Sequence, residues 1–226
     1  MKNLAIIVPV YNEEKNISKL LLNWLKIVPK YYKNKYQFII INDGSTDKTE
    51  NKINKIKSKY IHYIKQKNIG HGNTCIRGYK LAIKKNFDTV LQIDGDGQCD
   101  TKYFNSLLKE IKFSDAVFGY RNYREDGYFR KVLSTVLSVL IFLRTFIYIK
   151  DANIPYRMIK ISVLKKVINS IPEKVILKNV YLSYLIVKIC SIKWVDINFK
   201  KRRYGKSKYN LFKMAFLTIN LIINLK

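Results

Sequence analysis

The first 120 residues alternate between short, continuous apolar runs and segments in which apolar residues recur at helical spacing. The apolar runs at residues 4–8, 38–41, 61–64 and 88–93 predict buried strands. The segments 17–28, 49–58 and 73–84 between them predict helices. Because strands that alternate with helices pair into a mostly parallel sheet covered on both faces, we expect an α/β fold without internal repeats.

Polar residues follow three of these strands at the point where each strand ends, in residues 9–13, 42–47 and 94–98. Ligands bind at the carboxyl ends of strands in such sheets, so these segments predict one shared site. The first strand is not followed by a dinucleotide-binding glycine motif, and the chain has no P-loop motif. A P-loop ATPase and a Rossmann dehydrogenase are therefore disfavoured.

Charge narrows the class of partner but does not choose one. The chain of 226 residues has 43 Lys+Arg against 16 Asp+Glu, and this formal net charge of +27 favours anionic partners such as nucleic acid, phosphorylated molecules or acidic membranes. A Lys-, Asn- and Ile-rich composition would produce the same excess of positive charge without any functional role. The three cysteines lie far apart and predict neither a disulfide framework nor a zinc site. The N-terminal apolar run is too short for a signal peptide, so we expect a cytosolic protein.

Three acids fall within residues 94–100, in the sequence DGDGQCD. Mg²⁺ and Mn²⁺ take oxygen ligands, few of them from protein and the rest from phosphate and water. Gly95 and Gly97 allow the backbone to leave strand geometry, so that Asp94 and Asp96 can turn to one side. The pair predicts a divalent metal site that holds a phosphate ligand, and Asp100 is expected to cap a helix that starts near residue 102.

Six ordered segments of the chain are IIVPVYNEEKNI, IINDGSTDKT, NIGHGNTCIRGYKLAI, LQIDGDGQCD, FGYR and RRYGKSK. In this order they resemble the family 2 glycosyltransferases with the GT-A fold, and among them the dolichol-phosphate-mannose synthase and polyprenyl-phosphate glycosyltransferase branch. The resemblance covers residues 4–210 and implies a GT-A domain over 1–210. Within it, the resemblance implies that residues 1–120 form a Rossmann-like half that binds the nucleotide sugar and that 121–210 form the acceptor half. An apolar helix over 211–226 is expected to follow.

The resemblance also implies a role for each matching position. The residues expected to bind the nucleotide-sugar donor are Pro9, Tyr11, Glu13, Asp43, Gly95 and Lys208. The implied metal ligands are Asp94, Asp96 and Gln98, and the catalytic set is Asp94, Asp96, Arg121 and Arg202. Arg157 and Ser207 are expected to bind the acceptor. Cys99 and Asn42 depart from the family pattern, which often has His and a second acid at these positions. His71 is expected to be a loop residue near the donor.

The expected activity is an inverting, metal-dependent hexosyl transfer from a UDP- or GDP-linked sugar. The metal and the late cations would stabilise the departing diphosphate. An alcohol acceptor needs a general base, and residues 173–196 lack the acidic pair that many inverting relatives have. A phosphate acceptor is already ionised, so we expect a polyprenyl phosphate. Asp151 stays open as a base, and transfer to a hydroxyl of a growing cell-surface polysaccharide is the alternative.

Two apolar segments, 132–149 and 211–225, bear on whether the acceptor is a membrane lipid. The first contains Arg144, and the second would reach only about 22 Å as a helix, against the ~30 Å of a hydrocarbon core. Both predict amphipathic helices in the membrane interface beside basic residues, or core helices that cover the sheet. We therefore expect peripheral attachment to the anionic cytosolic face of a membrane, and a membrane-protein partner stays open. Nucleic acid is not expected as a partner, because no nucleic-acid motif is present. A sensor of sugar nucleotides without activity is a further alternative.

Overall fold

The computed structural model of the protein describes residues 3–125, 127–200 and 211–225, with side chains from 216 onward in the last segment. The strands are, in chain order, β1 (Leu4–Val10), β2 (Tyr36–Asp43), β3 (Ile61–Gln66), β4 (Thr89–Gln92), β5 (Ala116–Arg124), β6 (Arg157–Lys160) and β7 (Ile192–Phe199). The helices are α1 (Ile17–Ile27), α2 (Pro29–Tyr32), α3 (Thr49–Asn54), α4 (His71–Lys84), α5 (Phe104–Glu110), α6 (Tyr128–Thr145), α7 (Ile161–Val167), α8 (Lys178–Ile189) and α9 (Leu211–Asn224).

The strands form one seven-stranded sheet in the order β3-β2-β1-β4-β6-β5-β7. β6 runs antiparallel to β4 and β5, whereas the other neighbouring pairs are parallel. The predicted α/β architecture with a mostly parallel sheet is therefore confirmed. The ends of β1, β2 and β4 lie at one edge, which brings the three predicted polar segments together.

The apolar runs become the centre of the sheet because both of their faces are covered. Every residue of β1 is buried, and the side chains of α1 that face the sheet are buried at helical spacing: Ile17, Leu20, Leu21 and Trp24. The hydrophobic pattern predicted the first four strands and their intervening helices, with differences at the ends. The helix predicted over 49–58 ends at Asn54, and the one predicted over 73–84 begins at His71.

The hydrophobic pattern did not predict β5, β6 and β7. β6 has four residues, and β7 alternates exposed with buried side chains, since it is the last strand of the sheet. A period-two pattern from Val195 to Phe199 was the available signal for β7. β6 carries no comparable local signal, because four apolar or basic residues are compatible with either state.

A second apolar cluster lies apart from the main core, between α6, α8 and α9. It contains Leu137 and Ile141 of α6, Val180 and Tyr184 of α8, and Leu221 of α9. Of the described side chains of α9, Leu217 and Leu221 are buried while Phe216, Ile219 and Ile223 are exposed. The C-terminal helix therefore packs on the fold through one face and leaves an apolar face uncovered.

In residues 3–125, 127–200 and 211–225, no helix combines the length and apolarity needed to span a bilayer.

Candidate active site

The carboxylate loop, residues 94–98, follows β4 at the edge where β1 and β2 also end. Gly97 has φ +80°, a conformation that favours glycine. Gly95 is required for a different reason, because a Cβ there would lie 2.7 Å from Cγ1 of Val10 and 3.2 Å from the carbonyl oxygen of Pro9. The two glycines thus let the loop turn and press it against the end of β1.

Asp94 and Asp96 have different surroundings within this loop. Oδ1 of Asp96 accepts a hydrogen bond of 3.0 Å from the backbone N–H of Gln98. Oδ1 of Asp94 is buried without a hydrogen-bond partner among the described residues. Nε2 of His71 lies 3.6 Å away, which is an ion-pair distance when the ring is protonated but is too long for a hydrogen bond. A buried carboxylate oxygen without a donor is unfavourable unless a cation neutralises it.

This orphaned oxygen fits a hard divalent cation bound by the carboxylate loop. In the part of the chain that the structure describes, no group of three or more His, Cys, Asp or Glu side chains is arranged to hold a metal. Such a cation would therefore take few ligands from the protein and the rest from phosphate oxygens and water, as Mg²⁺ commonly does. Asp94 and Asp96 are the protein groups that would hold it.

Gln98 and Cys99 follow the two carboxylates in the chain. Nε2 of Gln98 donates to the carbonyl oxygen of Lys200 at 2.6 Å, so the atom available as a metal ligand would be Oε1. Cys99 is buried, and burial together with the charges of Asp94 and Asp96 raises the pKa of its thiol well above the ordinary value. The thiol stays protonated, so Cys99 acts as a small packed side chain and not as a nucleophile.

Asp100 caps the next helical turn, as predicted. Its Oδ1 accepts from the N–H of Lys102 at 3.0 Å, at the start of a 3₁₀ turn over Thr101–Tyr103 that leads into α5. Its Oδ2 accepts from Nζ of Lys200 at 2.9 Å. Although burial raises the pKa of Asp100, these bonds and the lysine charges outweigh it and lower the pKa overall. Lys200 therefore contacts the last residue of the carboxylate loop, Gln98, and also Asp100 just beyond it.

The segments after β1 and β2 are hydrogen-bonded to each other. Asn12, at φ 55°, donates from its backbone N–H to Oγ of Ser45 at 3.0 Å, and its Oδ1 accepts from the N–H of Thr46 at 2.9 Å. Glu13 is buried and its N–H donates to Oγ1 of Thr49 at 2.8 Å. The predicted donor residues Pro9, Tyr11 and Glu13 thus belong to a segment whose shape depends on Asn12, which the sequence argument did not single out.

Asp43, the residue expected to recognise the base, is buried and already engaged. Its Oδ1 accepts from Nε2 of Gln66 at 2.8 Å and from the N–H of Ile69 at 2.9 Å, and its Oδ2 accepts from the N–H of Gly70 at 3.0 Å. Since a carboxylate offers about four lone-pair positions, three are used within the protein. In this structure Asp43 holds the loop that precedes α4, and its role toward a base stays a prediction.

His71 was expected in a loop, but it is the first residue of α4, and its Nε2 lies 3.6 Å from Oδ1 of Asp94 in the carboxylate loop. Desolvation lowers its pKa, but the neighbouring Cys75 and Asp94 outweigh that effect and raise the pKa above the usual value. Cys75 lies 3.6 Å from Nε2 of His71 and accepts from Nδ2 of Asn179 at 3.4 Å. The start of α4 therefore connects the carboxylate loop to α8.

Arg121 lies near the end of β5 and forms a two-pronged ion pair that the sequence argument did not predict. Its Nε and Nη2 donate to Oδ2 and Oδ1 of Asp151, each at 2.6 Å. The two side chains are 9% and 3% exposed. Asp151, which the sequence left as a possible general base, is thus the ion-pair partner of Arg121.

Arg157 has surroundings other than those of an acceptor ligand. Its side chain is fully buried at the start of β6 and donates to the carbonyl oxygens of Ile154 and Asn179 and to Oγ of Ser183. Its guanidinium also lies over the ring of Phe118, 5.3 Å from the centroid. In this conformation Arg157 ties the sheet to α8 and presents no surface to a ligand. Arg202, Ser207 and Lys208 lie outside the described residues.

Comparison with known proteins identifies a family and related sequences. The model of the glycosyl transferase family 2 matches residues 5–169. An uncharacterized protein of Methanocaldococcus jannaschii is 32% identical over 176 residues, which cover 72% of this chain and 73% of that protein. The undecaprenyl-phosphate 4-deoxy-4-formamido-L-arabinose transferase of Proteus mirabilis is 24% identical over 230 residues, which cover 98% of this chain and 67% of the transferase.

Solved structures of glycosyltransferases share the fold at low sequence identity. Glucosyl-3-phosphoglycerate synthase from Mycobacterium tuberculosis, in complex with Mn²⁺, UDP and phosphoglyceric acid, aligns with a TM-score of 0.69 and 14% identity over 98% of this chain and 78% of that one. TarS 1-349 of S. aureus aligns with a TM-score of 0.60 and 19% identity over 100% of this chain and 67% of that one. The seven-stranded sheet is therefore a GT-A fold.

Proposed function

Since the chain belongs to glycosyl transferase family 2 and is a glycosyltransferase, we propose that it transfers a sugar, with inversion, from a nucleotide sugar to a polyprenyl phosphate at the cytosolic face of a membrane. The donor would be UDP- or GDP-linked, and Mn²⁺ or Mg²⁺ would be required. Relatives at 24% identity are named as undecaprenyl-phosphate sugar transferases, which supports this class of acceptor.

The observation that carries the proposal is the position of α6, which has an apolar outer face and an inner contact to the candidate site. On the outer face, Val136 is 47% exposed and Leu143 is 65% exposed. On the inner face, Oγ of Ser134 donates to Oδ1 of Asp151 at 3.5 Å, and Asp151 is paired with Arg121. An apolar surface so close to a pocket arginine suits an acceptor that has a phosphate head and a long hydrocarbon tail.

The donor side is supported by the buried, unpartnered oxygen of Asp94. A divalent cation held by Asp94 and Asp96 would neutralise charge on the departing nucleoside diphosphate. The residues of this chain would then bind and orient the reactants: the segments after β1 and β2 hold the nucleotide, and Arg121 supplies a fixed positive charge at the pocket. Arg202 and Lys208 are proposed to approach the diphosphate from the later part of the chain.

The proposed reaction needs no proton acceptor. An oxygen of the lipid phosphate attacks the anomeric carbon, the bond from that carbon to the diphosphate oxygen breaks, and the nucleoside diphosphate leaves with the electron pair. A phosphate monoester has its second pKa near ~6 and is largely ionised at neutral pH. The engagement of both Asp151 oxygens by Arg121 supports a reaction without a carboxylate base.

The exposed apolar faces of α6 and α9 support peripheral attachment to a membrane. Phe142 and Leu143 of α6 and Ile219 and Ile223 of α9 are exposed large apolar residues. Basic residues beside them would gain roughly 1 kcal/mol each near an anionic membrane surface. We propose that these two helices lie in the interface and bring the site to the lipid phosphate.

The test is a transfer assay with purified protein, Mn²⁺, and a panel of UDP- and GDP-linked sugars. Each donor is offered with undecaprenyl phosphate or with an oligosaccharide acceptor, and the products are identified by mass spectrometry. We expect a lipid-linked sugar phosphate and release of nucleoside diphosphate. Extension of the oligosaccharide without any lipid-linked product would overturn the proposed acceptor in favour of the polysaccharide hydroxyl.

A further inference from the structure

We propose that Asp151 is a positioning residue, which fixes the guanidinium of Arg121 in the acceptor pocket and does not accept a proton from the acceptor. The proposal rests on the proposed function, because it assigns a role within that site. It starts from the geometry of the pair, in which both donors of one edge of the guanidinium meet both oxygens of one carboxylate at 2.6 Å. Two parallel charge-assisted bonds fix orientation as well as distance.

The surroundings of Asp151 do not suit a general base. A base must aim a lone pair at the proton that it removes, within about 3 Å of the acceptor oxygen. Each oxygen of Asp151 already receives a bond from Arg121, and Oδ1 also receives one from Ser134 at 3.5 Å. The residue is 2% exposed, so an acceptor hydroxyl has no approach to it in this conformation.

The backbone that carries Asp151 is held from the core side. Oγ of Ser183 donates to the carbonyl oxygen of Ala152 at 2.8 Å, and Nε of Arg157 donates to that of Ile154 at 3.0 Å. Arg157 and Ser183 are fully buried, so these contacts are shielded from water. These two contacts fix the backbone just after Asp151, so that its carboxylate faces Arg121 in one orientation.

Arg121 is held at its other side by β7. A register shift between Arg121 and Tyr123 interrupts the pairing of β5 with β7, and such bulges redirect side chains. The guanidinium lies 5.1 Å from the centroid of the Phe199 ring. The next residue, Lys200, accepts from Gln98 of the carboxylate loop at 2.6 Å. Asp151 and Phe199 therefore hold the arginine beside the loop that would bind the metal and the diphosphate.

The experiment is a double-mutant cycle on kcat/KM for transfer, with Asp151→Asn, Arg121→Ala and the double variant. A positioning role predicts that Asp151→Asn lowers kcat/KM by roughly tenfold to a hundredfold in the wild-type background, the range expected for directly coupled residues. In the Arg121→Ala background it should change kcat/KM by less than about threefold, because the group that it positions is gone. A general base would instead lower kcat by a similar, large factor in both backgrounds.

The pH profile gives a second readout, which a purely structural loss would not move. A positioning role predicts that the acidic limb of kcat keeps its midpoint in Asp151→Asn, whereas removal of a general base abolishes that limb. Asp115→Asn is the matched control, because Asp115 forms a partly exposed pair with Lys160 at 3.5 Å. Asp151→Asn keeps the shape and one acceptor oxygen of the side chain, and melting temperatures of all variants separate misfolding from misplacement of Arg121.

Failure of the acceptor assignment can be distinguished from failure of this inference. If the wild type extends only an oligosaccharide, the proposed lipid acceptor is wrong, and the cycle is measured on the oligosaccharide. If neither acceptor is used, the cycle is measured on hydrolysis of the nucleotide sugar. In each case, the positioning role is overturned if Asp151→Asn lowers the measured rate by the same factor in the wild-type and Arg121→Ala backgrounds.

Discussion

At the scale of single residues, the carboxylates of the candidate site differ in whether they have hydrogen-bond partners within the protein. Asp43 accepts three hydrogen bonds, and both oxygens of Asp151 bond to Arg121. Oδ1 of Asp94 is buried without a bond. The acids that are satisfied within the protein organise loops and side chains, whereas the unsatisfied one is the group for which a bound cation is expected.

Asp96→Asn should abolish most activity, because an amide is a weaker ligand for a hard cation than a carboxylate is. We expect kcat to fall by about a hundredfold or more, which corresponds to several kcal/mol of transition-state stabilisation. Asp100→Asn is the matched control two residues beyond the loop, since asparagine also caps helices well. Isothermal titration with Mn²⁺ and a nucleoside diphosphate, together with the transfer assay, measures both variants. Equal losses from the two substitutions would contradict the assignment of the metal ligands.

At the scale of elements, α6 has two faces with different roles. Leu137, Ser138 and Ile141 are buried, and Leu137 and Ile141 belong to the second apolar cluster. On the opposite side, exposed apolar residues recur at helical spacing, at Val132, Val136, Val139 and Leu143. A soluble partner is not needed to explain such a face if the helix lies in a membrane interface, with its apolar side in the acyl boundary.

Leu143→Glu should weaken binding to vesicles of phosphatidylglycerol and phosphatidylcholine. Burial of one leucine side chain contributes about 1.5–3 kcal/mol, so we expect the partition coefficient to fall by about tenfold or more. Phe113→Glu makes the same change of charge at another exposed apolar residue, in the turn after α5 and outside α6, and it should leave partitioning unchanged. Co-sedimentation with the vesicles measures both. If the two variants lose binding equally, net charge and not the α6 face controls attachment.

At the scale of the whole molecule, one sheet edge unites segments that are distant in sequence. The ends of β1, β2 and β4 place residues 9–13, 42–47 and 94–98 together, and Lys200 joins the carboxylate loop from β7. Binding of a nucleoside diphosphate with a cation would connect these segments further. The free energy of that binding adds to the stability of the folded chain, because the unfolded chain has no such site.

UDP or GDP should therefore raise the melting temperature only when Mn²⁺ is present. At a ligand concentration of about a hundred times Kd, the added stability is ~2.7 kcal/mol, or roughly 5–10 °C for a chain of this size. Differential scanning calorimetry measures the shift, and the nucleotide with the larger shift identifies the base. The same shift without Mn²⁺, or in Asp96→Asn, would contradict a metal-dependent donor site.

The fold could be predicted from the sequence where local pattern and long-range packing agree. Continuous apolar runs such as 38–41 become central strands, because no other arrangement buries both faces of such a run. The ends of these strands then gather by topology alone, so residues 94–98 could be assigned to the site in advance. The sequence did not predict β6, because its antiparallel position between β4 and β5 depends on pairing with distant strands and not on its own four residues.

The family, the α/β fold and the carboxylate loop could be read from the amino-acid sequence, since these depend on hydrophobic periodicity and on motifs whose spacing is local. The contacts of individual polar residues depend instead on how distant segments fold together. Arg157 is fully buried, Asp43 holds the loop before α4, and Asp151 meets Arg121 from thirty positions along the chain. Local pattern cannot specify such contacts, because the partner of a charged side chain is set by the distant segment that folding brings within a few ångströms of it.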